Sequence, residues 1–173
     1  MSDTQTLSGP ASEDVPSGTH FPRKFLVVVD NTPECKVALR FATRRAQHTG
    51  GRVSLIYVAQ PADFQQWRGV EEIMRDEAHA EAENAIHTAA KYVNELSGLM
   101  PELVIKHGDT AESVMELVRS DNNISILVLA AGTSKEGPGP LVSLFAGPQA
   151  GAYPIPVTIV PGRLSEDEID ALA

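Results

Sequence analysis

Five short, mainly apolar runs, at residues 25–29, 53–58, 103–106, 124–131 and 157–160, are separated by stretches with helical spacing. This alternation limits the fold more than any other feature of the chain. The runs Phe25-Leu26-Val27-Val28-Val29 and Ile126-Leu127-Val128-Leu129-Ala130-Ala131 are continuous rather than alternating, as in strands covered on both faces. Strands of that kind in β-α-β-α order predict an α/β fold, a three-layer sandwich around a five-stranded, mainly parallel sheet with right-handed crossovers. Pro154 and Pro156 precede the last run, and proline cannot donate to a central ladder, so that strand is expected to start at or lie on an edge.

The helices are punctuated by recognisable signals. Thr32-Pro33 suits a helix start, with the threonine as N-cap and the proline in the first helical position. Val37, Ala38, Phe41, Ala42 and Arg45 continue at helical spacing until Gly50-Gly51 ends the pattern. The segment through Asp63, Phe64 and Trp67 either covers a pocket or runs over the surface. Residues 69–96 carry few breakers and predict a long amphipathic helix, with Ala82, Ala85, Ile86, Ala89 and Val93 near one face. His107-Gly108-Asp109 reads as a turn into a helix over 110–119, and residues 141–146 suit a short helix.

A chain of 173 residues with 42% hydrophobic content suits one soluble domain with a single core. The expected organisation is a disordered tail over 1–20, a folded domain over 21–162 and an acidic tail over 163–173. No apolar stretch approaches the roughly 20 residues of a membrane span. The first twenty residues lack the basic start and apolar centre of an export signal, so a cytoplasmic location is expected. The single cysteine, Cys35, excludes an internal disulfide and a cysteine-based metal site. Seven of the nine excess negative charges lie in the two ends, which leaves a nearly neutral body without a basic stripe for nucleic acid. Ser165 with Glu168 carries a helix-start signature, and Ile169 and Leu172 offer a weak apolar face. So short a segment buries little and is expected to be disordered.

Chemistry is concentrated after the fourth run. Gly132-Thr133-Ser134-Lys135-Glu136-Gly137-Pro138-Gly139-Pro140 follows the most strand-like stretch, where an open parallel sheet can turn backbone N–H groups toward an anion. The alternative is a plain turn, since a glycine-rich loop alone is a weak signal. Cys35 suits either a thiol activated by a helix start or a small buried side chain. His79 and His87 lack the i, i+4 spacing of a helical zinc pair and read as a solvated face. No glycine-x-serine-x-glycine occurs and no glycine-lysine-serine/threonine ending follows the loop, so no catalytic residue and no metal site are assigned.

The ordered motifs Val27-Val28-Val29-Asp30, Cys35, Ala38-Leu39, Leu55-Ile56-Tyr57-Val58, Gly108-Asp109, Leu127-Val128-Leu129-Ala130-Ala131-Gly132 and Pro156-Val157-Thr158-Ile159-Val160 resemble the universal stress protein family over residues 23–162. The resemblance implies a nucleotide-binding-type domain (adenine nucleotide alpha hydrolase-like), often a homodimer joined through the last strand, here the edge at residues 157–160. In members that bind ATP with Mg2+, it implies a carboxylate near adenosine at Asp30 with Asn31 beside it, and a backbone contact to the base at Val58. It also implies a phosphate loop beginning at Gly132 and shaped by Thr133, Gly137 and Gly139. The family's loop has glycine, two residues, glycine, nine residues, then glycine and a hydroxyl residue. Anchored on Gly132, this chain has Lys135 at the second glycine. Anchored on Gly147, Gly137 fits but Ser134 replaces the first glycine, and Pro148 brings neither hydroxyl nor N–H. A further register ends the loop at Gly139-Pro140, makes Ser143 the hydroxyl and leaves Lys135 as an extra cation. The reading is a stress-response binding or regulatory module that senses ATP or another adenine nucleotide. The alternatives are a nucleotide-free dimeric interaction protein and, third, a weak ATP hydrolase.

Overall fold

A computed structural model of the chain describes residues 22–60, 71–148 and 150–173. The five strands β1 (Lys24–Val28), β2 (Arg52–Ala59), β3 (Glu102–His107), β4 (Ile124–Ala131) and β5 (Val157–Pro161) form one sheet in the order β3-β2-β1-β4-β5. All four pairings are parallel, as the unbroken apolar runs require of strands covered on both sides. Side chains of β1 alternate between two cores. Phe25 and Val27, with Val29 just past the strand's end, pack with Leu39, Ala42, Ile86 and Val93 from α1 (Cys35–Thr49) and α2 (Glu71–Ser97). Leu26 and Val28 face the opposite way, against Val114 and Val118 of α3 (Thr110–Ser120) and Val142 and Phe145 of α4 (Pro140–Phe145). Each such aliphatic side chain contributes about 1.5–3 kcal/mol on leaving water, so the strand that feeds both layers is the best-buried element.

The sequence places the ends of several elements well. Gly50 caps α1 in the left-handed conformation at φ 66°, which its missing Cβ permits. Asp109 caps α3, its carboxylate accepting from the Glu112 N–H at 2.9 Å. The start of α1 differs from expectation. The helix begins at Cys35 with Glu34 as its N-cap, because Thr32 is engaged elsewhere: its N–H and hydroxyl both donate to Asp30 Oδ1, at 2.9 and 2.6 Å. The segment around Asp63, Phe64 and Trp67 lies outside the described residues.

The two sheet edges are chemically unlike. β5 offers Val157, Thr158, Ile159 and Val160, with Ile159 exposed, and closes on Pro161. β3 carries charge: Glu102 pairs with Lys24 at 2.6 Å, and Lys106 pairs with Glu116.

The acidic C-terminal segment, expected to be disordered, is helical. α5 (Glu166–Leu172) opens with a Ser165/Glu168 capping box and buries Ile169 to 2% exposure. Its acids also find partners. Arg40 on α1 grips Asp170 with Nε and Nη2, both at 2.7 Å, and reaches Glu166 with Nη1, while Arg44 adds two contacts to Asp170 at 3.1 Å. A bidentate guanidinium–carboxylate pair is stronger and more directional than a single ion pair, which outweighs the shortness of the segment. These bonds to Arg40 and Arg44 hold the Asp170 carboxyl down at about 2. A depressed carboxyl stabilises the fold above its unfolded value near pH 4, and that contribution is lost as pH falls through the folded value. We expect Asp170→Asn to cost on the order of 1 kcal/mol at pH 6 and the difference from the parent protein to shrink steadily toward pH 2, read by urea unfolding.

Candidate functional site

Strand order reverses between β1 and β4: β2 and β3 continue outward on one side and β5 on the other. Ligands of open α/β sheets bind at the carboxyl ends of strands around such a switch point. Among the hollows that open there, one of about 420 Å³ runs between α1 and α2 past Lys36, Leu39, Glu81 and Tyr92, and two others reach α3, α4 and the loop after β4. The larger of these two, about 410 Å³, is lined by Val28, Val29, Asp30 and Asn31 from the end of β1, Tyr57, Val58 and Gln60 from β2, Asp109, Thr110 and Ala111 at the start of α3, and Pro140, Leu141 and Leu144 from α4. The smaller, about 100 Å³, is bounded by Asp30, Thr32, Glu34, Cys35, Gly132 and the Pro138–Pro140 backbone among others. Asp30 borders all three.

The residues singled out in the sequence divide between these places. Asp30, Asn31 and Val58 meet in the larger hollow, and Gly132 and Gly139 bound the smaller. Thr133, Gly137 and Ser143 line neither. Ser143 is exposed and its hydroxyl donates to the Gly139 carbonyl at 2.8 Å, a bond internal to the first turn of α4. Lys135 is also exposed.

Backbone direction gives Val58 its character. The Val29 N–H donates to Ile56 O at 2.8 Å, while Ala59 O accepts from the Gly108 N–H on the β3 side. Peptide groups of a strand alternate sides, so Val58, two residues beyond Ile56, turns its N–H and C=O toward β1. The last β1–β2 partners are Val28 and Ile56, and the chain then bends away through the Asp30–Thr32 turn. An adjacent donor and acceptor therefore face the hollow past the end of β1.

The glycine-proline loop does not form a ring of amides around an anion. Gly132 N–H donates to Pro138 O at 3.0 Å, Gly137 N–H to Ser134 O at 3.3 Å, and Glu136 N–H to the Ser134 hydroxyl at 3.3 Å. Thr133 N–H meets a carboxylate, Glu34 Oε1, at 3.4 Å. The sequence offers no cue to this contact, because Glu34 and Thr133 are 99 residues apart. The stem of Glu34 runs beside Gly162, where a Cβ would stand 3.1 Å from Glu34 Cγ.

Burial sets the electrostatics nearby. It pushes the Cys35 thiol up to about 11 against an opposing hydrogen bond from the Asp30 backbone, and the buried thiol reads as a packed side chain. Burial also raises the Tyr57 phenol, helped by the charges of Glu81 and Asp30. His79 lies half-exposed, 3.5 Å from Glu83 and stacked on His107 with ring centres 5.8 Å apart, and His87 is exposed.

Residues 22–161 match the model of the universal stress protein family. The chain belongs to that family. No curated protein matches the sequence. Among solved structures, this family member resembles the universal stress protein UspA from Lactobacillus plantarum, with TM-score 0.66 and 18% identity over 81% of this chain and 98% of that one. It is similar to the Archaeoglobus fulgidus universal stress protein in complex with dAMP, at TM-score 0.53 and 17% identity over 82% and 98% of the two chains. A universal stress protein family protein from Arabidopsis thaliana with AMP bound aligns at TM-score 0.55 and 17% identity, over 84% and 95%. These likenesses extend across the sheet and its helices, and they establish the fold.

The close passage at Gly162 is a test of the site's frame. A Cβ there would stand 2.3 Å from Ala131 O, and backbone cannot yield as a flexible side chain can. Gly162→Ala is expected to cost about 1–3 kcal/mol, measured as a lowered denaturant midpoint.

Proposed function

We propose that this chain is a regulatory binding module whose larger hollow takes the nucleoside end of an adenine nucleotide. The observation that carries the reading is the meeting of Asp30, Asn31 and the outward-facing peptide groups of Val58 in one hollow of about 410 Å³, within the usual size range of small-molecule sites. The N–H and C=O of Val58 complement the acceptor and donor along one edge of adenine. Val28, Ala111, Leu141 and Leu144 supply apolar walls for the base. Asp30 is suited to accept from ribose hydroxyls, as carboxylates at the carboxyl ends of such sheets do. Relatives of the same fold crystallised with AMP and dAMP support this choice of ligand.

A magnesium triphosphate fits the residues poorly. The Gly132 and Gly137 amides are spent inside the loop, the Thr133 amide faces Glu34, and Ser143 donates to Gly139 O. The proposed role is therefore binding. Titration calorimetry with AMP and adenosine tests it. Heat of binding is expected for the parent protein, and Asp30→Ala should weaken affinity by roughly tenfold or more. No heat with either ligand refutes the reading.

We also propose self-association through β5. Leu127 N–H donates to Pro156 O at 3.0 Å and Gly162 N–H to Ala131 O at 3.0 Å, so even-numbered residues address β4 and the peptide groups of Val157 and Ile159 point outward. An uncharged edge of this kind is open to a second copy of itself. Sedimentation should give a dimer for the parent protein and a monomer for Ile159→Lys; a monomeric parent protein at high concentration would rule it out.

A further inference from the structure

The carboxylate of Glu34 borders the smaller hollow and lies against the loop after β4. Three observations fix it there. The residue is the N-cap of α1 but makes no side-chain cap to its own helix, so its carboxylate is directed elsewhere. Its stem is confined beside Gly162, just past β5. Its head stands 3.4 Å from the Thr133 N–H, and a Cβ placed on Gly132 would meet the same oxygen at 3.4 Å. Asp30, the other carboxylate of the hollow, has Oδ1 engaged with Thr32.

We infer that Glu34 is the specificity-determining residue of this site, an internal anion that selects adenine nucleosides and monophosphates over polyphosphates. The nucleoside half of that statement rests on the function proposed above; the exclusion of polyphosphate rests on the place of Glu34 against the Thr133 amide, beside loop amides already bonded within the loop. The physical reasons are two. A phosphate chain following the loop would have to displace the carboxylate from the Thr133 amide, leaving that charge without its partner. Otherwise it would lie within a few ångströms of a like charge. Adenosine brings no charge to the loop and meets neither obstacle, and AMP brings a single phosphate group and meets them less than ATP does.

The test is calorimetric titration of the full chain with adenosine, AMP, ATP with Mg2+, and inorganic tripolyphosphate. The proteins are the parent, Glu34→Gln, Glu34→Ala as a second variant should the first fold poorly, and Glu136→Gln, which removes the same charge from an exposed position on the loop. For the parent protein, adenosine is expected to bind at least as tightly as ATP. In the Glu34 variants the ratio of ATP to adenosine affinity should rise roughly tenfold or more, tripolyphosphate binding should strengthen in step, and Glu136→Gln should move the ratio by less than about twofold. An unchanged ratio in the Glu34 variants, or an equal rise in Glu136→Gln, overturns the proposal, and a fall in the ratio would make Glu34 a holder of ligand or metal instead. The two readings fail separately. Adenosine binding with an unchanged ratio leaves the nucleoside site standing and removes the role of Glu34. Tripolyphosphate binding gained by the Glu34 variants without adenosine binding does the reverse.

Discussion

The central strand stops before its neighbours do, and the site follows from that. β1 pairs with β2 as far as Val28–Ile56, yet β2 runs on to Ala59 and β4 to Ala131. The short strand is terminated by a carboxylate: Asp30 draws the N–H and hydroxyl of Thr32 onto one oxygen and turns the chain out of the sheet. Had β1 continued, its backbone would have covered the peptide groups of Val58 and closed the gap toward β4. One local turn thus uncovers a hydrogen-bonding edge on one side and the smaller hollow on the other.

The same turn decides where α1 begins, and through α1 it orients Glu34 and Cys35. Helix and hollow are coupled by packing. Ala38, Leu39 and Ala42 hold α1 on the sheet, and on its outer side Arg40 and Arg44 are tied to Asp170. The end of the chain therefore braces the helix whose first residues line the site.

Much of the fold was legible because a strand covered on both faces must be apolar at nearly every position, and residues 25–29 and 124–131 are. β4 begins and ends where its apolar run does, and β5 lies at an edge as Pro154 and Pro156 imply. Local capping rules succeeded where the cap was local, at Gly50, and failed at Thr32, whose hydroxyl was claimed by a carboxylate two residues earlier. The order of α5 was underestimated because so short a segment was expected to bury little; Ile169 is buried all the same, and the acids find partners on α1, about 130 residues away. In the candidate site, Asp30, Asn31 and Val58 were named through the family resemblance, and they share one hollow because β1 and β2 run side by side and parallel. The bonding of the loop was not legible, since glycine spacing records where a chain can bend and not which amide bonds to which carbonyl. Glu34 carried no signal at all, as its contact exists only once β4 and α1 are brought side by side.

The unlike edges of the sheet bear on how far association can go. Two β5 borders that meet are both consumed, and the margins left on the outside are then both β3, with Glu102 and Lys106 held in ion pairs. Charged margins of that sort discourage further strand addition, so growth by the proposed route would halt at a closed pair instead of extending into a fibre.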